Sequence, residues 1–266
     1  MSAGLPTPRR IVSLAASNTE IACALGLADR LVGLDDFSDF PPEVQRLPRV
    51  GRDLEIDAEK VAALEPDLVL ASLSVPGMER NLPRLAAAGL AFIPVRPAGW
   101  DGLWATIREI GAACGVPDRA EALVAELRAR ASALAERVAD VRQRPRVYWE
   151  WWPKPPITAG GPSWITEICR LAGGENCFAD LERESGAVDP QAVRRRDPDL
   201  VVLCWCGAHK LPNAALVAQR PGWSEIAALR TGRVHAVLEP CFGRPGPRLV
   251  EGLEQLARLL HPERFP

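Results

Sequence analysis

The chain has 266 residues, 47% of them hydrophobic and 25% charged, with a formal net charge of -2. This is globular composition with ample material for a core, and it excludes a global basic field for nucleic acid. No apolar run reaches the about 20 residues of a membrane span, and seven irregularly spaced cysteines exclude a disulfide framework.

In chain order, "MSAGLPTPRRIVSLAASNTE" opens with an apolar run over 11–16, shorter than the about 7–15 residues of an export core. As written, the chain reads as cytoplasmic; an export segment upstream of a misassigned Met1 would move it to the periplasm or cell surface. Residues 11–16 read as a strand. Ser17 with Glu20 makes a capping-box pattern, which predicts a helix opening at Thr19. Asp57 then caps a short helix in "DAEKVAALEPDLVLAS", and 68–71 is an apolar run of buried-strand type. Further on come a strand at 92–95 and a helix at 101–114. "PDRAEALVAELRARASALAERVADVRQRP" follows, with Asp118 and Glu121 as a capping box and Leu123, Leu127, Leu134, Val138 and Val141 at helical spacing. It predicts one helix over 117–143, a rod of about 37 Å that Pro145 ends.

The second half repeats the first. "DPQAVRRRDPDLVVLC" echoes 57–72, with Asp189 as N-cap and Pro190 at the first helical position. "RVYWEWWPKPPITAGGPSWITEICRLAGG" echoes "RIVSLAASNTEIACALG" with a longer loop between strand and helix. A strand at 234–238 and a helix at 247–260 complete it. Arg194, Arg195 and Arg196 read as a solvated helix face. Alternating strands and helices mean parallel sheets. The expected fold is α/β, with two Rossmann-like lobes at 1–116 and 144–266, the helix 117–143 joining them, and a ligand cleft between the lobes.

In such sheets ligands gather beyond the carboxyl ends of the strands. Those ends supply Ser17, Phe37, Ser72, Trp205, Cys206, His209, Phe242 and Arg244 as candidate contacts, with Arg248 in the same loop as Arg244. The strand at 147–152 adds Trp151 and Trp152. Period-two alternation puts Trp149 and Trp151 on one face and Tyr148, Glu150 and Trp152 on the other. "CWCGAHK" lacks the spacing of a structural zinc site, so reduced, packed cysteines are expected there and no metal. Nucleophile-elbow, P-loop, dinucleotide and zinc-protease motifs do not occur. A binding protein without catalytic residues is the expectation.

"RIVSLAASNTEIACALG", "DDFSDFPP", "LEIDAEKVAALEPDLVLA", "PPITAG", "AGGEN" and "RPGPRLVEGLE" resemble the class III periplasmic binding proteins of iron-siderophore, haem and vitamin B12 ABC importers. The likeness is to the cobalamin-binding branch. It implies cobalamin or a related corrinoid tetrapyrrole as ligand, an ABC permease as partner, and a monomer. By the same resemblance Phe37 matches an aromatic that packs on the corrin, and Trp151 and Ile157 fall at pocket positions. Glu59 matches an acid that docks on permease arginines; its counterpart in the second lobe is Gln191. Asp53, Ser72 and Ser185 stand where the branch carries pocket tryptophans, and Ala172 and Ala257 where exported relatives place a disulfide. Alternatives are a ferric-siderophore or haem ligand, or a cytosolic corrinoid-handling enzyme or chaperone with Cys206 or His209 touching the metal.

Overall fold

The computed structural model describes residues 7–207 and 211–265. By its contacts the chain divides into two units. One holds residues up to 97, 101–127 and 245–247; the other holds 98–100, 128–244 and 248 onward. Each is built on a four-stranded, wholly parallel sheet.

In the first unit the strands run in the spatial order Leu31–Leu34, Ile11–Ser13, Leu68–Ser72, Phe92–Val95. In the second the order is Glu175–Asn176, Arg146–Glu150, Leu200–Leu203, Val234–Ala236. Numbered within each unit, both orders are second, first, third, fourth, so the repeat read from the sequence is a repeat of topology. The Asp57 carboxylate accepts from the amides of Glu59 and Lys60 (both 3.1 Å), and Asp189 accepts from Gln191 (2.9 Å). Each cap starts its helix, Ala58–Ala63 or Pro190–Arg196, and each helix leads into a fully buried strand.

Cores lie between these sheets and their helices. Val12, Val61, Val69 and Leu85 pack in the first unit, and Tyr148, Phe178, Val201 and Trp223 in the second. Between its first strand and helix the second unit inserts a hairpin, Trp152–Pro153 with Pro156–Ala159, which pairs onward with Ser185–Ala187. This is the longer loop of the sequence repeat. Gly160 and Gly161 close it by donating to the carbonyls of Glu184 and Leu181 (2.9 and 2.8 Å), an approach that leaves no room for a side chain at Gly160.

Three expectations need correction. Ser17 does not cap a helix. The helix Ala16–Ala24 starts directly after the extended Ala15, without a side-chain cap, and Ser17 is buried in its first turn. Its opening is stitched instead by Asn18, which donates Nδ2 to the carbonyls of Leu70 and Ala71 (3.2 and 3.1 Å). The long helix covers only Pro117–Glu136, about 30 Å, because i→i+3 hydrogen bonds from Arg137, Val138, Ala139 and Val141 tighten its end into turns. The strand expected over 147–152 ends at Glu150, where the hairpin begins.

Candidate functional site

At the end of the Arg146–Glu150 strand, alternation sorts the aromatic run as its period requires. Trp149 faces inward with Trp151 (ring centroids 5.4 Å) and rests on Phe242 (5.0 Å). Trp149 and Phe242 are wholly buried, Trp151 is 8% exposed, and Trp152 is 44% exposed. The run therefore passes from core to surface. Phe242, expected as a ligand contact, belongs to the core: it lies under Trp149, and its carbonyl accepts the Trp164 indole N–H (2.7 Å). Arg244, also expected as a ligand contact, is buried as well.

On the other face stands Glu150, fully buried. Arg220 donates to both its oxygens (2.5 and 2.8 Å), the Tyr148 hydroxyl donates to Oε2 (3.0 Å), and the Trp205 indole N–H donates to Oε1 (3.1 Å). Burial pulls the Arg220 guanidinium down, but the hydrogen bonds and charge of Glu150 outweigh it and hold it above its ordinary value. Burial, reinforced by the Glu150 charge, pushes the Tyr148 phenol well up. The guanidinium also lies 4.6 Å over the Trp223 ring. Removing one member of such a pair typically costs about 3–5 kcal/mol, because the other charge stays buried.

Several predicted residues meet here. The Trp151 amide donates to Ile157 (2.8 Å), Ile157 pairs with Trp152 across the hairpin, and the Cys206 amide donates to Trp151 (3.3 Å). Ile157 and Trp205 are half-buried. Cys206 is exposed as a residue, yet its thiol turns inward, 3.9 Å from the Cys204 carbonyl. Burial and the nearby Glu239 push that thiol up to about 12. His209 lies outside the described residues. Among the described residues, no group of three or more His, Cys, Asp and Glu side chains is gathered for a metal ion, and no helix is long and apolar enough to cross a membrane.

In the first unit, Ser72 at its strand end is buried and bonded to Ser74. Phe37 is half-buried, with the Arg52 guanidinium 5.6 Å from its ring. Its loop is held by the fully buried Asp35, which accepts the Phe37 amide (2.9 Å) and the Ser38 hydroxyl (2.5 Å). Ser38 in turn meets Thr19 (2.7 Å), and Thr19 donates to Ser13 (2.8 Å). Glu59 and Gln191 occupy matching exposed positions in the first turns of the two capped helices. Beside Gln191 opens a cavity of about 480 Å³ lined by Arg194, Arg195, Glu225 and Arg230. The three consecutive arginines are matched locally. Arg194 pairs with Glu225, Arg195 with Asp189, and Arg196 with Asp180.

Sequence reasoning missed Asp35 and Glu150 as site builders. Their one legible signal was a carboxylate in or directly after an apolar strand. It also missed where exposed apolar surface collects. Phe40, Leu54, Val75, Trp152, Leu211 and Leu238 are the exposed large hydrophobics apart from Leu216 among the described residues. Five of the six lie between the carboxyl end of a parallel strand and the next helix, and Leu54 sits in the turn of the hairpin Gly51–Arg52 with Glu55–Ile56. Within each unit taken by itself, such exposed apolar groups are candidates for contact with an apolar ligand face.

The family model for periplasmic binding proteins matches residues 11–237, on this same strand arrangement. The chain belongs to the periplasmic binding protein family. An ABC transporter substrate-binding lipoprotein of Bacillus subtilis is 34% identical over 97% of this chain and 82% of its own length. A vitamin B12-binding protein of Vibrio cholerae is 30% identical over 94% of this chain and 88% of its own. Among solved structures, the apo periplasmic heme-binding protein of Roseiflexus sp. RS-1 superposes with a TM-score of 0.83 at 27% identity, covering 96% of this chain and 99% of that one. This periplasmic binding protein thus has the two-lobed fold of substrate-binding proteins, which are not enzymes. As in other ABC-transporter binding proteins, a small-molecule ligand and a permease partner go with the family.

Proposed function

We propose that this protein captures cobalamin or a related corrinoid for an ABC permease. The observation that carries the reading is the apolar strand-end surface around Trp152, Ile157 and Trp205, which offers aromatic area to a broad flat ligand. The first unit presents the same kind of surface through Phe37, Phe40 and Val75. The likeness to the vitamin B12-binding protein supports the same ligand class.

Haem is the competing ligand, favoured by the likeness to the heme-binding structure. Haem iron takes its axial ligand from the protein, commonly histidine, tyrosine, cysteine or methionine. The chain's single tyrosine, Tyr148, is sealed in the core and bonded to Glu150. His261 is buried beside the Gly173 carbonyl, Met78 is buried and His235 is half-buried, while His209 lies outside the described residues. Cys206 is exposed, and burial with the nearby Glu239 raises its thiol. Cobalamin carries its own axial ligands on cobalt, so from the protein it needs mainly apolar area and rim hydrogen bonds.

Likeness to a lipoprotein and to a periplasmic protein supports work outside the cytoplasm. Docking on the permease would use exposed Glu59 in the first unit; the second presents neutral Gln191 on an arginine-bearing helix. The deciding experiment titrates the purified protein with cyanocobalamin, haemin and a ferric siderophore, following tryptophan quenching. Submicromolar saturation by cyanocobalamin with weaker response to the others is expected. Preference for haemin or siderophore refutes the corrinoid reading.

A further inference from the structure

In each unit a carboxylate with no exposed surface stands at a strand's carboxyl end: Asp35 directly after Leu31–Leu34, and Glu150 as the last residue of Arg146–Glu150. Burying a carboxylate is costly, and an apolar residue would close a strand end at less cost. A carboxyl side chain nevertheless stands in both places, and in both it is hydrogen-bonded to an aromatic residue of the strand-end surface. Glu150 accepts the Trp205 indole N–H at 3.1 Å; Asp35 accepts the Phe37 amide at 2.9 Å.

We propose that Glu150 and Asp35 are positioning residues that pre-form the aromatic ligand surface, Glu150 acting through Trp205 and Asp35 through Phe37. The proposal rests on the corrinoid-binding reading above. An indole on a loop samples several rotamers, and its one N–H can select a single one only if the acceptor is itself fixed. Glu150 is fixed by the two-pronged grip of Arg220 and by Tyr148. Arg220 is in turn pinned over the fully buried Trp223. A chain of contacts thus runs from the core through Trp223, Arg220 and Glu150 to Trp205 at the surface. Asp35 is fixed in a similar way: Arg49 donates to its carbonyl (2.8 Å) and to that of Ser38 (2.7 Å), while Ser38 contacts Thr19 of the first helix. Aromatic groups ordered before binding spare the ligand the entropic cost of ordering them.

The test uses the full chain and cyanocobalamin. Glu150→Gln keeps shape and an acceptor but removes the charge that Arg220 clasps. Affinity is expected to fall about five- to tenfold. Acrylamide should then quench Trp205 more readily, its emission being isolated by subtracting that of Trp205→Phe. The double variant Glu150→Gln/Trp205→Phe should bind no more weakly than Trp205→Phe alone, and Asp35→Asn should show the same non-additivity with Phe37→Leu. Fully additive losses, or unchanged Trp205 quenching, overturn the proposal. Should Glu150→Gln fail to fold, Trp205→Phe decides by itself: affinity equal to wild type overturns the proposal, and a loss of fivefold or more supports it. If wild-type protein binds no cyanocobalamin, the corrinoid reading fails, and the quenching comparison still decides whether Glu150 orders Trp205.

Discussion

Trp149 and Phe242 pack with ring centroids 5.0 Å apart, and neither exposes any surface. One comes from the end of the second unit's first strand and the other from the loop before its last helix, so the pair ties the hairpin-bearing edge to the chain's final segment. Phe242→Ala is therefore expected to cost about 3–5 kcal/mol through lost burial and a residual cavity. Urea unfolding followed by tryptophan emission measures this; a cost below about 1 kcal/mol would show that the ring is not a core element.

Trp152 should behave in the opposite way. It is 44% exposed on the hairpin, so Trp152→Ala is expected to change folding stability by no more than about 0.5 kcal/mol. Cyanocobalamin affinity should fall about tenfold if the ring stacks on the ligand. Thermal melts and fluorescence titrations on one preparation separate the two effects.

Asp189 caps Pro190–Arg196 through its hydrogen bond to the Gln191 amide. Asp189→Ala should cost about 1 kcal/mol, while Asp189→Asn, an equally good cap, should stay near wild type. Equal losses from both would assign the effect to the charge, which also faces Arg195 at 3.6 Å.

Asp67 accepts the amides of Arg9 and Arg10 (2.8 and 2.9 Å), and these bonds, the Arg9 one first, hold its carboxyl below the usual aspartate range. A carboxyl lowered on folding leaves the unfolded chain binding more protons, so its contribution raises stability with rising pH. The contribution is complete above the unfolded value of about 3.9 and is lost as pH falls through the lower folded value. The gap in urea midpoint between wild type and Asp67→Asn should be present at neutral pH and close in strong acid. A gap that widens in acid would contradict the sign.

Cys206 is exposed, yet its thiol is pushed up to about 12 by burial and by Glu239. At pH 8 its thiolate fraction is therefore far below that of an ordinary thiol. Iodoacetamide should label Cys206 slowly in native protein and rapidly after unfolding, and Glu239→Gln should speed the native reaction. Mass spectrometry of the labelled peptide reads both rates.

Much of the fold was legible because local physics repeats. The Asp57 and Asp189 caps and the buried runs Leu68–Ser72 and Leu200–Leu203 each carry a short-range signal, and their recurrence announced a duplicated parallel sheet. Alternation along Arg146–Glu150 likewise assigned Trp149 and Trp151 to one face and Tyr148 and Glu150 to the other. Ser17 misled because a capping box is only a pattern of residue types: Ala15 entered the helix without a cap, and packing buried the serine. The helix from Pro117 kept its apolar spacing past Glu136 in sequence, but turns replaced it there.

By itself, the sequence determined the element types, their order and the twofold plan, since caps, periods and breakers act within a few residues. Tertiary structure alone decided which strand-end residues face water. Phe242 and Arg244 lie in the same Gly/Pro loop as exposed Leu238, and only contacts with distant Trp149 and Trp164 bury Phe242. It also decided that Glu150 would meet Arg220, 70 residues away, because burial and charge pairing are set by where the chain returns and not by neighbours along it.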